Sequence, residues 1–192
     1  MDKVSIWNRA LRLCGATAVA SESEDSGNAN LCAAVYDEKR KSLLEKHDWN
    51  CAIKRVQLAI DTTDPVFGRT YRYRVPADFI RLVDPDPEHN SLDRDWQIEQ
   101  NFIYTDELAP INVRYIYDLT DTSIMSPTFR ELLAVDMALE MTEVLSQSNT
   151  KATRLEETRK RVYAEARKAN AFQKVAQIIP DGSFITARLP GG

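Results

Sequence analysis

Only two histidines and a few clusters of acids in this 192-residue chain offer the groups that acid–base or metal chemistry needs. His47 stands beside Asp48 in "EKHDW". A histidine oriented by a carboxylate can act as a general base. It needs a partner, however, and neither Ser nor Cys sits in a nucleophile turn of the GxSxG kind. A histidine near a helix C-terminus also has a simpler use, as a favourable charge on the helix dipole. "DPDPEHN", residues 84–90, gathers Asp84, Asp86, Glu88 and His89. A calcium loop would add a glycine at its sharp turn and a closing bidentate glutamate. This stretch has two stiffening prolines and no glycine, so a solvated turn between strands is the expectation. Asp118 and Asp121 of "DLTDT" are spaced for turn chemistry. The six glycines form no phosphate-cradling loop. These residues predict no catalytic, cofactor or metal site, and no enzyme. A cryptic site around His47 and Asp48 is the enzymatic alternative.

Charge is the next source of chemistry. The net charge is −4, but it is unevenly spread. From Lys151 to Gly192 there are nine basic and four acidic residues, against sixteen and twenty-five in residues 1–150. The stretch "RLEETRKRVYAEARKAN" carries Arg154, Arg159, Lys160, Arg161, Arg167 and Lys168. Phosphate neutralisation by such cations is the basis of DNA affinity. Yet Glu156, Glu157 and Glu165 interrupt the run, and it has no helix-turn-helix or finger spacing. An acidic body with a basic C-terminal part suits docking between copies, or onto a partner, of opposite sign. A merely solvated helix face is the other reading. The end of the chain, "IIPDGSFITARLPGG", is apolar where free tails are normally polar. Ile178, Ile179, Phe184, Ile185 and Leu189 sit among prolines and glycines that preclude a helix. With Arg159, Lys160, Arg161, Arg167 and Lys168 they form the expected interface, the tail ordering only on assembly.

The elements that must position these groups follow from periodicity. Hydrophobic residues make up 43% and charged residues 28% of the chain, a globular composition. Val4, Trp7, Leu11 and Cys14 predict a helix over 3–14, stopped by Gly15. A second helix is predicted from about Asn28 to His47. Its buried side carries Leu31, Val35, Leu43 and Leu44, and "DEKRKS" lies on its wet side. Trp49, Cys51 and Ile53, then Val56 and Leu58, alternate as an extended segment. Residues 66–117 have strand character. Tyr71, Tyr73 and Val75 alternate, "WQIEQNFIYTD" reads as a hairpin turning near Gln100–Asn101, and "INVRYIY" puts Ile111, Val113, Tyr115 and Tyr117 on one face. Ser126 and Pro127 open a third helix, with an overlapping Thr128–Glu131 capping box. Its core stripe is Phe129, Leu133, Met137, Met141 and Val144. "SQSNT" reads as the turn of a helical hairpin. A long helix over about Lys151–Ala176 then places Leu155, Val162, Ala169 and Ala176 on a seam, with Ala166 alongside. The expected fold is α+β: a helical bundle of about four helices (residues 1–65 and 118–177), an inserted antiparallel β region (66–117) and an extended docking tail (178–192).

Cys14, Cys32 and Cys51 are odd in number, lack CxxC spacing and lie beside apolar residues. Buried free thiols in a reducing compartment are expected. Neither a membrane-spanning run nor a signal-peptide pattern is present in the sequence.

The order of landmarks resembles a family. "NRALRLCGA" is followed by "NANLCAAVYDEKRKSLLEKHDWNCAIKRVQLA", "YRYRVPADFIRLV", "WQIEQNFIYTDELAPINVRYIYDLTD" and "SPTFRELLAVDMALEMTEVLSQS". Over roughly residues 5–175 this series resembles the tail tubular protein A family, the head-to-tail adaptors of short-tailed phages. The resemblance implies a non-enzymatic virion protein of the tail or neck, assembled in the host cytoplasm. It implies a closed ring, typically twelve-fold, between the portal protein and a tail nozzle protein. Such a ring continues the channel for double-stranded DNA, which passes without sequence-specific binding. An acidic lumen, supplied by residues 1–150, would let the polyanion slide. The alternative function is a nucleic-acid-associated or scaffolding helical module using Arg159 to Lys168.

Overall fold

The computed structural model describes residues 2–83, 96–146 and 148–173. Within them the chain is α+β, with four α-helices and two small antiparallel sheets. Helix α1 spans Lys3–Cys14. Asp2 caps it by accepting from Ser5 N–H at 2.9 Å. Gly15 ends it at φ 75°, where its N–H donates to Arg12 O and that of Ala16 to Leu11 O. Those two bonds satisfy carbonyls that a helix end leaves orphaned. Helix α2 spans Gly27–Lys46, capped by Ser26. Helix α3 spans Pro127–Leu145; Ser126 accepts from Phe129 N–H at 3.2 Å and Pro127 takes the first turn. Helix α4 spans Asn149–Ala171, capped by Ser148.

Helix α3 is the hub, packing against α1, α2 and α4. That explains why its burial is not a stripe: Leu132, Ala134, Val135 and Ala138 are buried along with Phe129, Leu133, Met137 and Met141. The stripe does not reach Val144, which is 66% exposed in the last turn. Helix α4 meets α3 through Leu155, Val162 and Ala166, on the expected seam. Ala176 lies outside the described residues.

Strands β1 (Ile53–Leu58), β6 (Ile111–Tyr117) and β3 (Phe79–Leu82) form one sheet in the order β1-β6-β3. The other, β2-β5-β4, is made of β2 (Tyr71–Arg74), β4 (Trp96–Glu99) and β5 (Phe102–Thr105). The β4–β5 hairpin turns at Gln100 and Asn101, with Gln100 at φ 53°. Between Trp49 and Ile53 the expected alternation gives way to a 3-10 turn, Asn50–Ala52. β1 then pairs with β6 from Ile53↔Ile116 to Leu58↔Ile111, so the sheets recruit a strand before residue 66.

Two apolar clusters result. The larger joins the helices with Trp49, Val83, Ile116 and Leu119. The smaller lies between the sheets, with Leu58, Tyr73, Ile103, Ile111, Val113 and Tyr115. Strand β6 serves both. Successive strand residues face opposite ways, so Ile111, Val113 and Tyr115 enter the small cluster while Ile116 enters the large one.

Charged groups pin the sheets to the helices. Arg81 on β3 donates to Glu45 O at 2.7 Å, at the end of α2, and to Asp48 Oδ1 at 2.6 Å. Arg40 is the correction to the wet side assigned to "DEKRKS": it is 2% exposed. Its guanidinium donates to Asp118 just after β6, to Leu119 O at 3.0 Å and to Asp37 Oδ1 at 3.1 Å. A charge can be buried when its donors are met in this way.

Candidate interaction surface

The basic residues of α4 divide by the face they occupy. Arg159 turns inward. Its Nε donates to Asp136 Oδ1 at 2.6 Å, and Asp136, on the hub helix, is only 7% exposed. Arg159 thus ties α4 to α3 within one chain. Arg161 pairs with Glu165 at 3.1 Å along the exposed helix surface, the weak (i, i+4) kind of contact. Arg154, Lys160, Arg167 and Lys168 are exposed and make no ion pair among the described residues. Arg167 lies 5.8 Å from the Tyr163 ring centroid and Lys168 5.9 Å from that of Phe172. The structure therefore gathers Lys160, Arg167 and Lys168 on a surface and removes Arg159 from it. Ile178, Ile179, Phe184, Ile185 and Leu189 lie outside the described residues.

At the C-terminal end of α4 the surface is hollow. Ala164, Arg167, Lys168 and Ala171 of the helix face His47 and Asp48 across a cleft of about 450 Å³. Asn170 builds its wall. Its side chain accepts from Asn50 N–H at 2.8 Å and donates to Asp48 O at 2.7 Å. The His47 ring is 4.8 Å from that of Trp49, edge to face, and its Nε2 is 3.3 Å from Asn170 Nδ2. Asp48 is held by Arg81. The hollow combines cations, small apolar side chains and a rigid amide, which suits a docking socket. Sequence reasoning named its cations but missed Asn170. The signal was weak: a polar residue 120 positions from its partner has no local pattern.

The opposite sign lies elsewhere. Asp25, Glu38 and Glu45, on α2 and the loop before it, are exposed and form no ion pair among the described residues. Glu131, expected in a capping box, pairs instead with Arg9 at 2.6 Å and joins α3 to α1.

The thiols are free, with Cys14 and Cys32 buried and Cys51 half-buried. Burial pushes the Cys32 thiol up to about 11 and raises those of Cys14 and Cys51. All three are thus held as protonated, poorly nucleophilic thiols. Among the described residues no group of three or more His, Cys, Asp or Glu side chains could hold a metal ion. Asp84, Asp86, Glu88 and His89 lie outside those residues. No helix there is long and apolar enough to cross a membrane. Comparison of the chain with models of known protein families and with curated proteins finds no match.

Proposed function

We propose that the chain is a structural adaptor that closes into a ring in the neck of a short-tailed phage. In this reading the helices form a bundle with a terminal helical hairpin, the sheets are an inserted β domain, and the apolar tail docks on a neighbouring copy or on the portal. One observation carries it. The same chain presents exposed cations at Arg154, Lys160, Arg167 and Lys168, and exposed acids at Asp25, Glu38 and Glu45, none of them in an ion pair among the described residues. Two unlike, complementary surfaces on one subunit are what head-to-tail association requires, and such contacts close into rings when the rotation allows. The resemblance adds the portal above, the nozzle protein below, twelve copies, and DNA in the bore. The acidic excess of residues 1–150 suits a lumen through which DNA slides.

Sedimentation velocity and negative-stain microscopy, with the chain alone and with a portal protein, test this. Rings are expected, at least on the portal. Single subunits under every condition would overturn it. A salt-dependent shift of duplex DNA by those single subunits would favour the nucleic-acid module instead. The pairing of Arg159 with the nearly buried Asp136 argues against that module, since this cation is already committed.

A further inference from the structure

The loop between β1 and β2 ends in a bare apolar tip. Val66 is 95% exposed and Phe67 is 89% exposed, the two most exposed large hydrophobic side chains among the described residues. Gly68 at φ +88° sets the turn beside them, a conformation that L side chains rarely adopt. The stem below the tip is firmly held. Asp61 N–H donates to Arg72 O at 2.9 Å, Ile60 bridges to Tyr73, and Thr70 N–H and hydroxyl both donate to Asp106 Oδ1, at 2.8 and 2.7 Å. An exposed phenylalanine on a braced stem is the geometry of an anchor residue.

The charges around the tip narrow what it can fit. Asp61 is paired with Arg72 and Asp106 with Arg69. Asp64 is exposed and adjoins Pro65 and the apolar pair, with no ion pair among the described residues. The complement is the hollow at the end of α4. There Asp48 is paired with Arg81, while Arg167 and Lys168 form no ion pair among the described residues. Ala164 and Ala171 leave room, and Phe172, 78% exposed, stands next to it.

The tip and the hollow sit on different parts of the fold. Val66 and Phe67 border Gln97, Glu99 and Tyr104 of the β2-β5-β4 sheet, whereas the hollow is made by α4 and the residues just after α2. Strand β1, six residues and about 20 Å at strand rise, lies between them in the chain. We infer that the Val66–Phe67 tip of one copy docks in the hollow between His47 and the last turns of α4 of the next copy, with Asp64 meeting Arg167 and Lys168. This rests on the ring reading, and names a contact that would build such a ring.

Two variants of the full chain, each adding one cysteine, test it, Val66→Cys and Ala171→Cys, both in a Cys51→Ala background that removes the one native thiol that is not buried. Mixed at a concentration where association is seen, and oxidised, they are expected to give a covalent dimer that neither gives alone. Charge reversal is the second arm. Asp64→Lys and Lys168→Glu should each raise the concentration needed for association on the order of tenfold, and a chain carrying both changes should recover. Two outcomes overturn the contact but leave the ring reading intact: assemblies that form unaffected by either reversal, or a mixed pair that never cross-links within them. A wild-type chain that stays single, alone and on a portal protein, overturns both.

Discussion

The helical part and the sheets bury similar kinds of apolar side chains, but they place their ion pairs differently. In the helical part the charges that matter are deep: Arg40 between α2 and the segment after β6, and Asp136 under Arg159. Around the sheets the pairs Arg69–Asp106 and Lys54–Asp78 sit at the rim, where water competes, and only Arg72–Asp61 is half-buried. Deep pairs are costly to break one partner at a time, whereas rim pairs contribute little to global stability and instead fix local shape. The helices thus form the rigid frame, and the sheet rims hold particular loops in place.

The largest effect is expected where the frame is purely apolar. Phe129 is fully buried, with its ring 5.3 Å from that of Trp49, edge to face. Phe129→Ala should cost about 3–5 kcal/mol, read as a fall in the urea midpoint. A loss below about 1 kcal/mol would mean that the hub is loosely packed. The comparison also predicts that α1 and α4 lose hydrogen-exchange protection together, since both lean on α3.

A smaller effect separates deep from shallow charge around one arginine. Asp118→Ala leaves Arg40 buried with only Asp37 and Leu119 O as partners, at a cost of about 2–3 kcal/mol. Asp37 is much more exposed and reaches the same guanidinium within α2, so Asp37→Ala should cost below about 1 kcal/mol. Equal losses for the two variants would erase the distinction between frame and rim at this junction.

The frame was largely legible in the sequence, and the reason is periodicity. Trp7, Leu11 and Cys14 announced α1, Ser126-Pro127 announced the start of α3, and Leu155 with Val162 announced the seam of α4. The β4–β5 turn was readable because alternation stops and restarts across Gln100 and Asn101. What was not legible depends on partners distant in sequence. Arg40 looked like a surface residue because Asp118 lies 78 positions away. Arg159 looked like part of a docking face for the same reason, since Asp136 belongs to a different helix. The Val66–Phe67 tip had no readable signal: two apolar residues in a short Pro/Gly-bounded loop read as buried or exposed with equal ease.

The smallest and most local effect concerns the rim that braces this tip. Asp106 accepts from the Thr70 hydroxyl and the Thr70 N–H, and pairs with Arg69 at 3.0 Å. In that order these contacts lower its carboxyl from the ordinary 3.8 to about 2. A carboxyl lowered by folding contributes fully above its unfolded value, and the contribution is lost as pH falls through the folded one. The brace should therefore hold at pH 4 and release as the pH approaches 2. The Thr70 amide resonance should titrate with a midpoint near 2, not near 3.8. Asp106→Asn should abolish that titration while leaving the urea midpoint at pH 7 nearly unchanged, because the side chain is exposed and water screens its contacts. A midpoint at the ordinary carboxylate value would mean that Thr70 and Arg69 do not hold the carboxylate. The tip would then be a loose loop, unlike the braced anchor that the contact between copies requires.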